Sequence, residues 1–315
     1  MKRRQFLAGA ALGAGLLAAP HAHAFPERQL RIVVPNAAGG GTDINARLIA
    51  RSLEKAVRQS VPVINVVGGG TSIGARQVRD GGSDGHSILF IHQALIAAAA
   101  MGVADFPPTD LDVLGQSGEE SYTLMVGKDS PLRNLGDAIA AARRAPDTQR
   151  FGVQIGALNH FNALRLANRT GVRFRYVNTG GGGPTRNALL GNHLDLAFAT
   201  VGEVASFVAS GDIRLLAIFS GARAAALPQV PTAREQGFEI EIGLRYWWWL
   251  PRGVADARRR FWSEGIAAAF ADEELQARFK ALEVTPRLDF TPAAATDVAA
   301  QYAEMQRLAA EFGLR

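Results

Sequence analysis

Short runs of apolar or β-branched residues, separated by stretches with helical spacing, constrain this chain more than any other feature. They cover Arg31 to Pro35, Val61 to Val67, Ser87 to His92, Thr123 to Val126, Phe151 to Ile155, Arg173 to Val177, Leu194 to Ala199 and Ile213 to Ser220. Parallel neighbours need a long crossover, usually a helix, so this alternation predicts an α/β architecture with largely parallel sheets. After the first run, Leu48, Ile49, Leu53, Ala56 and Val57 recur at near-helical spacing, while Arg47, Arg51, Glu54 and Lys55 fall on other faces. A glycine loop therefore leads from a strand into a helix. The run Tyr246-Trp247-Trp248-Trp249 reads as an alternating buried strand rather than a sugar-stacking platform. From Val254 onward the chain reads as helices.

The first 24 residues stand apart from the fold. Lys2, Arg3 and Arg4 precede an apolar stretch from Phe6 to Ala19, and Ala22-His23-Ala24 supplies a small-residue cleavage site. This is the pattern of an export signal, by the twin-arginine or the general secretory route, and its apolar part is shorter than the roughly 20 residues that span a bilayer. Cleavage leaves Phe25 first and makes the mature protein an exported one. It also removes three of 34 basic residues and none of 29 acidic ones, so the +5 charge of the whole chain falls to +2. With no basic run carrying interleaved aromatics, no nucleic-acid partner is expected. There are no cysteines, which excludes a disulfide framework and a lipid anchor on cysteine.

The length suggests two domains. Clustered prolines in DFPPTDLDVLG (105–115) and LPQVPTAREQG (227–237) mark the candidate crossings. The expected division is residues 25–110 with 238–315 as domain 1, and 111–237 as domain 2.

Two glycine loops carry the chemistry, Gly39 to Gly41 and Gly180 to Gly183, each read as lying between a strand and a helix. The first N–H groups of a helix lack intrahelical acceptors, and its partial positive end favours an anion. Glycine lets a ligand approach the backbone. Two such loops facing each other hold a small acid without an arginine; as plain flexible turns they would hold nothing. Neither fits a dinucleotide fingerprint or a P-loop, because Ile44 and Thr185 stand where the last glycine belongs and no Lys-Ser or Lys-Thr follows. G-x-S-x-G occurs at Gly81 to Gly85, before a strand, and at Gly70 to Gly74, after one. The second makes Ser72 a candidate nucleophile, but a late histidine should complete that triad, and the last histidine is His193. His86, His92, His160 and His193 have no zinc spacing, so neither metal nor cofactor is expected.

Across the mature chain, the motifs FPERQLRIVVPNAAGGGTDINARLIA, VINVVGGGTSIGA, SDGHSILF, YVNTGGGGPTRNALLGNHLDLAF, GDIRLLAIFSGARAAALPQVPTAREQGF and WLPRGV, in this order, resemble the periplasmic solute-binding proteins of tripartite tricarboxylate transporters, also called Bordetella uptake proteins. The resemblance implies a periplasmic-binding-protein type II-like fold, with two α/β domains closing on a ligand cleft. It implies a non-catalytic, monomeric protein that binds a small organic acid and delivers it to inner-membrane transporter subunits. Carried over by position, the first loop supplies Asn36, Ala38, Gly39, Gly40, Gly41, Thr42 and Asp43. The second supplies Asn178, Thr179, Gly180, Gly181, Gly182 and Gly183. Gly70, Ser72, His92, Asn159 and His160 line the rest of the cleft. Two departures are visible. Asn178-Thr179-Gly180 replaces the family's aromatic-basic-glycine triplet, and Ala157-Leu158-Asn159-His160 replaces a glycine- and serine-bearing loop. The alternatives are a secreted hydrolase using Ser72 and a ligand-sensing subunit of a membrane signalling system.

Overall fold

The computed structural model describes residues 25–180 and 182–314; the expected export signal, residues 1–24, and the site candidate Gly181 lie outside the described residues. The chain begins with β1 (Arg31–Val34), α1 (Gly41–Val57), β2 (Val63–Asn65), α2 (Ser72–Arg79), β3 (Ser87–Ile91) and α3 (Ala94–Ala100). A long strand, β4 (Leu111–Gly127), leads to α4 (Leu135–Arg144), β5 (Arg150–Val153), α5 (Leu158–Thr170), β6 (Arg175–Asn178), α6 (Gly182–Leu190), β7 (Leu196–Thr200), α7 (Val201–Ala209) and β8 (Ile213–Ile218). The return passes through β9 (Gly243–Pro251), α8 (Asp256–Ala269), α9 (Glu273–Ala281), β10 (Val284–Asp289) and α10 (Pro292–Glu311).

The strand order β2-β1-β3-β9-β4-β7-β5-β6 is continuous, with β8 and β10 both paired to β4. Through Leu111 to Ser121, β4 pairs with β9, and its Gln116 to Glu120 stretch also pairs with β10; through Tyr122 to Gly127 it pairs with β7 and β8. The strand thus serves two sheets in turn. Alternate residues explain why each half holds together: Ile32, Phe90, Tyr246 and Trp248 pack on one face with Trp262, while Val33, Leu89, Trp247 and Trp249 pack on the other with Phe161 and Met305. In the second half, Leu124, Phe151 and Phe198 face one way and Met125, Ala197 and Leu215 the other. A period of two along each strand produces both layers.

Four expectations need correction, the first being that of largely parallel sheets: β4, β8, β9 and β10 all pair antiparallel. The strand expected over Thr123 to Val126 extends back to Leu111, into the proline-marked stretch, because Pro107 and Pro108 only open a single short turn, Pro108–Asp110, ahead of it. The tail is not wholly helical, since β10 separates α9 from α10 and pairs antiparallel with β4 despite Pro286. That proline is tolerated where β10 pairs with β4 alone. The proline-rich stretch around Thr232 is a turn tied back to Ile218, and pairing with the first sheet resumes only at Gly243.

Candidate functional site

Register alone fixes where the glycine loops point. β3 is antiparallel to β9 and β9 to β4, so β1, β2 and β3 all run with β4, toward Ser121. β7 is antiparallel to β4, with Thr200 opposite Tyr122, and β5 and β6 are parallel to β7. The carboxyl ends of the parallel strands in the two halves, β1, β2 and β3 on one side and β5, β6 and β7 on the other, therefore face each other across the middle of β4. In open α/β sheets such ends are where ligands bind.

The first loop is held by its own helix. Gly40 is the N-cap of α1 without a side-chain cap, and Asp43, in the first turn, accepts from Gly39 N–H (2.8 Å), Asn65 Nδ2 (2.8 Å) and Arg47 Nε (3.0 Å). Burial opposes ionisation of Asp43, but the hydrogen bonds from Arg47, Gly39 and Asn65 outweigh it and hold the carboxyl below its ordinary range. Asp43 and Thr42 are buried, whereas Ala38 to Gly41 are exposed and Asn36 is half-buried. Asp43 is a strut for the loop.

On the opposing edge, Asn178 Oδ1 accepts from Ile155 N–H (3.3 Å), Asn159 Oδ1 from Gln154 N–H (3.1 Å) and His160 Nδ1 from Gly156 N–H (3.2 Å). Three expected site residues thus shape the 154–156 turn. Thr179 bonds Val153 O and meets the Thr185 hydroxyl at 2.6 Å. Gly180 has φ 91°, and Gly182 and Gly183 open α6. His92 lies where β3 ends, accepts from Ala94 N–H and meets the Tyr246 ring edge-on. Burial lowers both His92 and His160 to about 4, so both are neutral at neutral pH. Their rings offer no cation to an anion.

The glycines differ in why they are glycines. A Cβ on Gly74 would lie 2.8 Å from Val66 O and 2.9 Å from Pro35 Cβ, and one on Gly152 would collide with Leu194, so close packing explains these two. At Gly41 and Gly183 an added Cβ meets no described protein atom within 4 Å, and neither has a left-handed φ. Nothing in the protein's own packing asks for glycine there, one position at each helix start.

Sequence reasoning missed the residues that join the two edges. Glu120 Oε1, where β4 changes sheets, accepts from Asn45 Nδ2 of α1 (3.0 Å) and from Tyr246 O–H (2.7 Å), and the carboxyl also takes a bond from Thr200. Burial, opposed by these bonds and reinforced by the nearby Glu203 charge, raises its pKa. Glu203 accepts from Thr200 N–H (3.0 Å), and its Oε1 lies 3.4 Å from where a Gly182 Cβ would be. Gln93 donates to Gly243 O (3.0 Å) and accepts from Arg245 N–H (2.9 Å), fixing the start of β9. No local pattern marks these residues, because their partners are distant in sequence.

Ser72 opens α2, is buried, and forms no hydrogen bond with a histidine among the described residues. Among the described residues no cluster of three metal-binding side chains occurs, and no helix is long and apolar enough to cross a membrane. A hollow of about 340 Å³, lined by Gln93, Glu120 and Gly243 together with residues of α5 and α10, includes none of the glycine-loop residues, and the pairs Arg165–Glu304 and Arg245–Asp297 on its wall neutralise each other. The facing sheet ends, not this hollow, carry the loop N–H groups.

The family described as the tripartite tricarboxylate transporter family receptor matches residues 45–254. A protein of Agrobacterium vitis, described as a UPF0065 protein in the TAR-I ttuE-ttuC' intergenic region, is 30% identical over 290 residues, covering 90% of this chain and 84% of that one. The periplasmic binding protein BugD superposes with a TM-score of 0.75 at 28% identity, covering 92% of this chain and 99% of its own. An R. palustris protein solved with adipate superposes with a TM-score of 0.77 at 25% identity, covering 92% and 98%. The expected type II-like binding-protein fold is the observed one. With a family match over most of its length and relatives of the same fold, the chain belongs to the tripartite tricarboxylate transporter receptor family of solute-binding proteins.

Proposed function

We propose that this protein captures a small organic carboxylate in the periplasm by domain closure and delivers it to the membrane subunits of a tripartite tricarboxylate-type transporter. The observation that carries this reading is the pair Gly41 and Gly183, glycine without any packing or backbone need at two helix starts on facing edges. Each charge-assisted N–H contact to a carboxylate contributes roughly 1.5 to 3 kcal/mol, and each helix end roughly 0.3 to 1 more. The neutral state of His92 and His160 leaves the backbone as the source of anion affinity at these edges. The adipate-bound relative supports a carboxylate as the ligand class.

In this reading Asn36, Ala38 to Thr42, Asn178 to Gly183, Gly70, Ser72 and His92 line the cleft, while Asp43, Asn159 and His160 hold its loops. Domain 1 comprises residues 25–110 and 238–315, domain 2 residues 111–237, with β4 as the hinge strand shared by the two sheets. The export signal, its cleavage before Phe25 and a monomeric state belong to the same proposal.

The test is calorimetric titration of the mature protein with a series of carboxylates from acetate to adipate, plus benzoate. Gly41→Leu and Gly183→Leu should each weaken binding by at least roughly tenfold, the loss of one charge-assisted contact, with unfolding temperatures little changed. Wild-type affinity in both variants would refute the backbone grip.

A further inference from the structure

Thr71 is a residue whose own requirements the fold leaves unmet. It closes a run in which Gly68, Gly69, Gly70 and Thr71 have φ of 125°, 55°, 58° and 86°. Glycine enters this region freely, but a β-branched side chain crowds the backbone there. Thr71 is also only 7% exposed, and its Oγ1 has no hydrogen-bond partner among the described residues. A buried hydroxyl that has left water without a replacement is destabilising. Glycine at this position would remove both penalties, and this chain carries threonine instead. A backbone outlier of this kind points to a functional constraint.

Its place in the fold supplies the constraint. Thr71 is the N-cap of α2, an eight-residue helix whose first N–H groups and partial positive charge lie at the same end. It follows β2, whose carboxyl end belongs to the edge that faces the second half. A Cβ on neighbouring Gly70 would lie 3.2 Å from Val103 Cγ1, and one on Gly156 would lie 3.0 Å from Met101 Cε. The segment after α3 therefore lies against both the Thr71 turn and the 154–156 turn opposite, which puts the Thr71 turn beside the seam of the two halves.

We propose that the Thr71 hydroxyl is a specificity-determining contact, donating a hydrogen bond to an oxygen of the bound acid that the glycine loops leave free. This rests on the carboxylate-binding reading above and adds to it a side chain that tells one acid from another. Parting the halves at the Met101–Gly156 contact opens the turn to ligand. Closure seals the hydroxyl onto its acceptor.

The experiment compares wild type with Thr71→Ser, Thr71→Val and Thr71→Gly, using the same carboxylate series by calorimetry and thermal unfolding without ligand. For the acid that wild type binds tightest, Thr71→Ser should stay within roughly threefold, while Thr71→Val and Thr71→Gly should weaken at least roughly tenfold, as expected for one lost hydrogen bond to a charged group. Thr71→Gly should also unfold roughly 2 to 4 °C higher than wild type without ligand, so its lost affinity cannot reflect a damaged fold. Wild-type affinity in Thr71→Val and Thr71→Gly, or equal weakening in all three variants, overturns the assignment. If Gly41→Leu abolishes binding while Thr71→Val does not, this inference alone fails. If wild type binds no acid of the series, the carboxylate reading fails with it.

Discussion

His160 shows how one side chain links local geometry to pH. Its Nδ1 must be unprotonated to accept the Gly156 N–H, and burial lowers its pKa from 6.5 to about 4. The folded-state value lies below the unfolded one, so the stabilising contribution is complete above about pH 6.5 and is lost as pH falls toward 4. At one pKa unit per 1.36 kcal/mol the loss for His160 is about 3 kcal/mol. Chemical denaturation at pH 7 and pH 4.5 should show a smaller pH-dependent loss in His160→Gln than in wild type; equal losses would mean that the imidazole titrates normally.

Among the elements, β9 shows what packing asks of its residues. Gly243 opens the strand opposite Ser121, and an added Cβ would collide with the Glu120 carbonyl oxygen. Backbone cannot move aside as a side chain can, so Gly243→Ala should cost about 1 to 3 kcal/mol, the usual penalty for forcing atoms into a packed site. Gly41→Ala should leave stability nearly unchanged, since its Cβ meets nothing. Urea denaturation of both variants tests the contrast, and similar midpoints would show that the hinge backbone adjusts freely. The alternation of Tyr246 and Trp248 on one face with Trp247 and Trp249 on the other explains the aromatic run as two core layers.

For the whole molecule, ligand binding and shape should be coupled. Among the described residues β4 is the strand that pairs in both sheets, with α5 side chains such as Phe161 packed against the first half beside it. Saturating wild type with its tightest acid, at a hundred times the dissociation constant, should raise stability by about 2.7 kcal/mol. The same addition should reduce the radius of gyration in small-angle scattering, and a double Gly41→Leu, Gly183→Leu variant should show neither change. Stabilisation without compaction would place the ligand in a site that does not close.

The sequence by itself determined the α/β class, most strands to within a few residues, the two glycine loops and the family, because period, turn chemistry and ordered motifs are local properties of the chain. It also separated the glycine loops from nucleotide-binding patterns, since those depend on spacing. The length of β4, the intrusion of β10 and the roles of Glu120, Gln93 and Asn45 were decided only in the tertiary structure. Glu120 is 75 residues from Asn45 and 126 from Tyr246, and Gln93 is 150 from Gly243, so no local window contains these partners. The same limit holds for glycine. Gly41, Gly74 and Gly243 look alike in sequence, and only the atoms brought beside them by the fold show that the first stands in open space while the others make room for the protein.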